Sequence, residues 1–230
     1  MSHYAVAVIH REDQNIEDLL APYDEKIEVE PYIWLTYDEA VAYARKHYNM
    51  GRKWDKTCWK LMAKGHKTDE NGNIYSTYNP KSKWDWWSYG RYGNEFLNKK
   101  TGEETDEGRI GDLDIVFDQE AYKEALSFWD KWITKTVKPE EDEEYPSLYR
   151  EEYYIEHYKN RETYAQCCAT YCSYAVVTPD GEWQAPGEVG WFGCSSESGD
   201  EWIDWCLNYK KRFLEDQDPD LILTLVDCHI

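Results

Sequence analysis

The stretch Tyr4-Ala5-Val6-Ala7-Val8-Ile9-His10 decides how the rest of the chain can fold. Its two valines lie on one face of an extended strand, and its alanines and isoleucine lie on the other, because successive side chains of a strand point to opposite sides. A strand that is apolar on both faces is typical of the interior of a sheet. The sequence therefore predicts an internal first strand.

A second apolar strand, Leu221 to His229, closes the chain. Before it come a strand hairpin around Thr178–Gly181 and a helix that begins at the capping box Ser198–Glu201. This order of elements resembles a β-α-β-β-α-β split unit. It predicts an α+β fold with an antiparallel sheet, ferredoxin-like in detail, in one domain over residues 1–230 with a large, mainly helical and aromatic insertion at 36–165.

Local signals define parts of this insertion. Thr36–Glu39 is a capping box, and Asp118 precedes a run whose apolar residues recur with the i, i+3, i+4 spacing of an amphipathic helix. Asn71-Gly72 is the signal of a type I′ hairpin turn. We therefore expect helices after Thr36 and Asp118, and a hairpin between them.

The segment Asn79 to Tyr92 concentrates aromatic side chains and is a candidate hub of the fold. Three indoles within four positions cannot all face water cheaply, because each has about 150–250 Å² of largely apolar surface. We expect a core plug, an interface or a ligand pocket built from Trp84, Asp85, Trp86, Trp87 and Arg91. The indoles of Trp84 and Trp86 should be more buried than Lys81 and Lys83, and Trp86→Ala should cost about 3–5 kcal/mol.

Charge restricts the classes of partner. The 230 residues carry 46 acidic and 26 basic side chains, for a net charge of −20. Because nucleic-acid binding depends on lysine and arginine neutralising phosphates, direct binding of nucleic acid is disfavoured. An acidic field instead suits a protein with a basic nucleic-acid-binding surface, although the same acidity also keeps an aromatic-rich protein in solution.

Two acidic runs lie in loop-like sequence and are the predicted partner-binding segments. The first lies between residues 98 and 112, which are typical of a loop or a second hairpin, and the second is bracketed by prolines. The predicted contact residues are Glu103, Glu104, Asp106, Glu107, Glu140, Glu141, Asp142, Glu143 and Glu144.

A catalytic alternative rests on the last residues. Asp227 and His229 lie on one face of the closing strand. If that strand runs antiparallel to the first, His3 comes within reach, and the three residues could bind a metal or transfer protons, together with Asp85 and Arg91. Because the chain contains no phosphate-binding, nucleophile-elbow or zinc-protease signature, we favour a protein without catalytic activity.

The cysteines and the N-terminal residues bear on cofactors and location. Seven cysteines form an odd set whose spacing fits no structural zinc site, so we expect free thiols, no metal and no cofactor. The first residues do not resemble a secretory leader, and no apolar run approaches about 18 residues. These features predict a cytoplasmic protein without membrane contact.

Several segments together resemble an uncharacterised family of proteins from bacteriophages and Gram-positive gut bacteria. They are Asn79–Trp87, Ser88–Arg91, the Tyr-Ala-Val-Val-Thr-Pro-Asp-Gly run at 174–181, Pro186–Gly193, and the run at 225–230 that ends in Val-Asp-Cys-His-Ile. The resemblance implies a phage setting, hence a host-cell cytoplasm, where small acidic proteins often obstruct immunity. Combined with the charge, it leads us to expect a non-enzymatic, anti-CRISPR-like inhibitor of a host nucleic-acid-directed defence complex. The alternative is a small metal-dependent or acid–base enzyme, hydrolase-like, that uses Asp227 and His229.

Overall fold

A computed structural model of the chain describes residues 2–90, 97–140, 142–190 and 194–230. These residues divide into two compact units. The sheet unit comprises Met1–Pro22 with Lys83–Ile230, and the small unit comprises Tyr23–Ser82. The sequence analysis placed an insertion at 36–165, whereas the small unit begins earlier and ends well before the helices that follow Asp118.

In chain order, the strands and α-helices of the described residues are β1 (His3–His10), α1 (Ile16–Leu20), β2 (Tyr32–Leu35), α2 (Tyr37–Tyr48), α3 (Asp55–Met62), β3 (Lys67–Thr68), β4 (Ile74–Ser76), β5 (Trp86–Tyr89), β6 (Leu97–Asn98), β7 (Glu104–Thr105), β8 (Glu107–Arg109), α4 (Gln119–Phe128), α5 (Glu151–Tyr158), α6 (Arg161–Ala169), β9 (Ala175–Val177), β10 (Trp183–Gln184), α7 (Gly199–Phe213) and β11 (Ile222–His229). Short 3₁₀-helices cover Ala21–Tyr23, Arg52–Trp54 and Ile110–Asp112, and a π-helix at Trp129–Ile133 extends α4. The mixture of helices and sheets confirms the α+β class.

The main sheet has the strand order β10-β9-β1-β11-β5, and β8 also pairs with β11. β1 and β11 run antiparallel in a ladder that extends from the pair His3 and His229 to the pair His10 and Ile222. The internal position predicted for the first strand is therefore confirmed, because β1 has a hydrogen-bonded neighbour on each side.

The sheet is mixed rather than antiparallel, since β1 and β9 are parallel. The ferredoxin-like arrangement is not confirmed. In a split unit a third strand separates the first two parallel strands, whereas here β9 pairs with β1 directly and β10 lies at the edge. The tight turn after β9 explains the position of β10, because it returns the chain beside β9 on the side away from β1.

The core of the sheet unit lies between the sheet and α7. Trp205, Tyr209 and Phe213 on one face of α7 pack with Ala7 and Ile9 of β1, and Leu223 and Leu225 of β11 also belong to this cluster. The predicted capping box is present, because the Ser198 side chain accepts from the Glu201 N–H while the Glu201 carboxylate accepts from Ser198. The odd-numbered residues of β1 and β11 therefore share one face of the sheet.

A second cluster of the sheet unit joins α4, the π-helix, α5 and α6. Trp129, Ile133 and Tyr154 are its buried members. The predicted helix start at Asp118 is confirmed, since its carboxylate accepts hydrogen bonds from the N–H groups of Glu120 and Ala121.

The small unit combines α2 and α3 with the three-stranded sheet β2-β4-β3. The predicted capping box at Thr36 is present at the start of α2. The hairpin around Asn71-Gly72 is also confirmed, but not the type I′ turn, which needs positive φ at both central residues. Gly72 has a φ of 78°, whereas Asn71 is not among the described residues with positive φ. The Asp69 carboxylate accepts from the N–H groups of Asn71 and Asn73 and selects a longer turn.

No helix within the described ranges combines the length and the apolarity needed to cross a membrane.

Candidate functional site

The ladder between β1 and β11 brings the two ends of the chain together. His3 lies opposite His229, and Ala5 lies opposite Asp227. Because Asp227 and His3 share one face of the sheet, the His3 ring reaches the carboxylate, and its Nδ1 lies 2.8 Å from Asp227 Oδ2. The structure thus forms the first of two histidine–aspartate pairs from residues separated by almost the whole chain.

Asp85 and His229 form the second pair. β5 runs beside β11 with Trp86 opposite His229, and the Asp85 N–H donates to the His229 carbonyl (2.9 Å). This backbone contact holds Asp85 at the end of β11, where its Oδ1 lies 2.5 Å from His229 Nδ1. We refer to His3, Asp85, Asp227 and His229 as the His–Asp cluster.

The two pairs are in contact with each other and with an exposed indole. The rings of His3 and His229 lie 5.0 Å apart between centroids, and the Trp86 ring meets His3 edge-on at 6.5 Å. The side chains of His3 and Asp85 are 28% and 31% exposed, whereas those of Asp227 and His229 are 7% and 13% exposed. The cluster therefore has a buried half on β11 and an accessible half on either side of it.

Two atoms of the buried half lack a hydrogen-bond partner within the described part of the chain. They are Asp227 Oδ1 and His229 Nε2. Buried polar atoms are normally satisfied, so such atoms need an explanation. Among the described residues, no group of three or more histidine, cysteine or acidic side chains is arranged to hold a metal ion.

The chemistry available to the cluster follows from these contacts. A carboxylate can only accept a hydrogen bond, so each Nδ1 carries the proton and Nε2 of a neutral ring is an acceptor or a base. The predicted proximity of His3, Asp227 and His229 is present in the structure. Their use as catalytic residues stays a prediction.

The predicted aromatic hub has one buried and one exposed indole. Trp84 is 7% exposed and its Nε1 donates to the Leu20 carbonyl. Trp86 is 51% exposed, more than Lys83, whose side chain is 20% exposed, so the expectation that Trp86 is buried is wrong. β5 is an edge strand of the sheet, and Trp86 lies opposite the end of the β11 ladder. Trp87 is half-buried, and Arg91 lies outside the described residues.

The first predicted acidic segment is part of the sheet unit's framework. The carboxylate of Glu103 pairs with Lys99 at 3.0 Å, and that of Glu107 accepts from the Thr224 hydroxyl at 2.8 Å. Glu104 is exposed on β7, which forms the second hairpin with β6. Asp106 is half-buried, and its carbonyl accepts from Leu225 N–H. Only part of this segment is therefore available to a partner.

The second predicted segment is more open. Glu140, Asp142 and Glu144 are exposed, while Glu143 accepts two hydrogen bonds from Lys131 and one from the Glu140 N–H. Glu141 lies outside the described residues.

Sequence reasoning missed a larger acidic surface, which the sheet topology assembles. β1, β8 and β9 end, and β11 begins, at the side of the sheet opposite the His–Asp cluster, so four connecting segments meet there. They are residues 11–15, 110–112, 178–182 and 214–221, which we call the acidic loop end. Nine of their carboxylate residues are exposed: Glu12, Asp13, Asp112, Asp180, Glu182, Glu215, Asp216, Asp218 and Asp220.

Direct contacts hold these segments together. Gln14 donates to the Pro179 carbonyl, and Gly111 N–H donates to the Pro219 carbonyl. Arg109 joins Glu12 and Asp220, at 3.2 and 3.3 Å. Arg11 is the one basic residue within the four segments, although the exposed last turn of α7 adds Lys210, Lys211 and Arg212 at its border. Each segment alone resembles an ordinary polar turn, which explains why its sequence carries no signal.

All seven cysteines are free, as the sequence predicts. Cys167, Cys168 and Cys172 line a cavity of about 510 Å³, and Cys172 Sγ lies 3.5 Å from Cys206 Sγ. Burial raises the pKa of Cys168 to about 11, so its thiol stays protonated at neutral pH.

Comparison of the chain with protein-family models, with curated proteins and with solved structures finds no match. The functional argument therefore rests on the residues themselves.

Proposed function

We propose that this protein is a non-enzymatic acidic binding protein whose partner presents a basic protein surface. The observation that supports the proposal is the acidic loop end, where four segments in mutual contact expose nine carboxylates. Such a surface is complementary to a groove lined with lysine and arginine.

Electrostatics at this surface favours fast association. A single exposed ion pair contributes only about 0–1 kcal/mol, because both charges stay hydrated and are screened by salt. Many like charges on one surface instead steer a basic partner over distances comparable to the screening length. The proposal therefore concerns a contact whose association rate depends on the summed charge.

Apolar anchors are also required, since aromatic and other large side chains usually dominate binding energy. The exposed carboxylates of Glu140, Asp142 and Glu144 are followed by Leu148 and Tyr149, which are 102% and 56% exposed. The Tyr149 ring stacks on Tyr153 at 4.4 Å, which fixes its orientation. Residues 140–149 thus combine charge with apolar contact area.

The narrower form of the proposal is an anti-CRISPR-like inhibitor that occupies a basic groove of a host defence complex in place of nucleic acid. It would act in the cytoplasm of the host cell. Its support is the net charge of −20 together with the phage-family resemblance.

Charge reversal at the acidic loop end should weaken partner binding at least about tenfold, because steering and pairing are lost together. The test variant is Asp13→Lys, Glu182→Lys and Asp216→Lys, which alters three of the four segments. The matched control is Glu28→Lys, Glu30→Lys and Glu70→Lys in the small unit, where all three residues are also exposed and the net charge changes equally. Affinity is measured against a basic protein captured from bacterial lysate and identified by mass spectrometry.

Raising salt from about 0.05 to 0.5 M should lower the association rate far more than it raises the dissociation rate. Equal loss of affinity in both triple variants would reduce the effect to net charge. An affinity indifferent to salt, or capture of no basic protein at all, would contradict the proposal.

A further inference from the structure

We propose that the His–Asp cluster is a binding site for a planar organic cation, a guanidinium or amidinium group. The cluster lies at the start of β1 and the end of β11, whereas the acidic loop end lies at the other end of the same ladder. The two sites are therefore separate and can be tested independently.

The inference begins from the unsatisfied oxygen of Asp227. Its side chain is 7% exposed, and its Oδ2 is held by His3 at 2.8 Å. Its Oδ1 is buried and has no donor among the described residues. A buried carboxylate oxygen is costly to leave without a donor, so the geometry calls for a donor from a ligand.

His229 adds a second acceptor. Its Nδ1 faces the carboxylate of Asp85 at 2.5 Å, so the ring proton lies on Nδ1 and Nε2 of the neutral imidazole carries a lone pair. This Nε2 is also buried without a partner in the described residues. Asp227 and His229 are two residues apart on one face of β11, so the ligand must donate at least two hydrogen bonds in fixed directions.

The charge and shape of the site select the ligand class. Two carboxylates, Asp85 and Asp227, lie beside two imidazoles, and the protein carries a net charge of −20, so a cation is attracted. A guanidinium presents several N–H donors in a rigid planar fork and is more weakly hydrated than an ammonium ion, so it enters a half-buried site at lower cost. The exposed Trp86 ring beside His3 supplies an aromatic surface for the cation.

The first test uses methylguanidinium chloride and the full-length protein at pH 8, where an ordinary imidazole is neutral. At about ten times its dissociation constant the ligand should raise Tm by about 3–6 °C over sodium chloride at the same ionic strength. Asp227→Asn should abolish the shift and Asp85→Asn should reduce it. Asp114→Asn, an exposed aspartate outside the cluster, is the matched control and should keep it.

Nitrogen NMR of the wild-type histidines gives a readout that does not depend on whether the Asp227 variant folds. Binding should move the His229 Nε2 resonance and leave that of His157 unchanged. An equal effect of urea, the neutral isostere, or of methylammonium would overturn the proposal, as would an unmoved Nε2 resonance. A response that appears only after Arg91→Ala would also overturn it, because the chain's own guanidinium would then be the occupant.

Two sources could present this chemistry, a free small cation or an arginine side chain of a partner protein. A short arginine peptide and its citrulline counterpart distinguish them. Tighter binding of the arginine peptide than of methylguanidinium identifies a protein side chain, and equal binding identifies a free cation. No preference for arginine over citrulline would contradict the proposal.

Discussion

Replacing Trp84 by alanine should lower the free energy of unfolding by about 3–5 kcal/mol, whereas the same change at Trp86 should cost about 1 kcal/mol or less. Trp84 is 7% exposed, so its removal leaves a cavity and an unpaired Leu20 carbonyl. Trp86 is half in water and leaves no cavity.

Thermal and urea unfolding of both variants measure this difference. For a chain of this size Trp84→Ala should lower Tm by about 6–20 °C, and Trp86→Ala by less than about 4 °C. Trp84→Phe is the control that keeps an aromatic ring but not the indole N–H. Equal Tm values for the two alanine variants would mean that the burial of the two indoles does not differ.

Gly199→Ala should destabilise the sheet unit by about 1–3 kcal/mol, although alanine is the better helix former. Gly199 is the first residue of α7, and a Cβ there would lie 2.3 Å from the carbonyl oxygen of His157, at the end of α5. That neighbour is backbone, so the two helices must move apart.

Gly51→Ala is the matched control, because a Cβ at Gly51 meets nothing within 4 Å among the described atoms. Urea unfolding of both variants should show a lower midpoint for Gly199→Ala alone. A stabilised Gly199→Ala variant would show that helix propensity outweighs the contact between α5 and α7.

Much of the local structure could be predicted because its causes are local. The capping boxes at Thr36 and Ser198 depend on side chains three residues apart, and both are present. The apolar pattern of β1 predicted its internal position. The pairing of β1 with β11 then followed from the order of elements, and it correctly placed His3 beside Asp227.

The remaining features depend on contacts that sequence spacing does not encode. The parallel partner of β1 and the edge position of β5 are set by sheet topology, so the exposure of Trp86 was missed. The acidic loop end unites segments about 30 to 100 residues apart in the chain. Each segment alone is an ordinary turn, and only the assembled sheet makes them one surface.

The ladder that joins His3 to His229 also sets a timetable for biosynthesis. β11 lies between β1 and the strands β5 and β8, so the middle of the sheet is missing until residues 222–229 have left the ribosome. At about 5–20 residues per second, β1 waits on the order of tens of seconds for its partner. During that interval its apolar edge is open to chaperones and to other nascent chains, whereas residues 23–82 form a continuous unit whose contacts are complete much earlier.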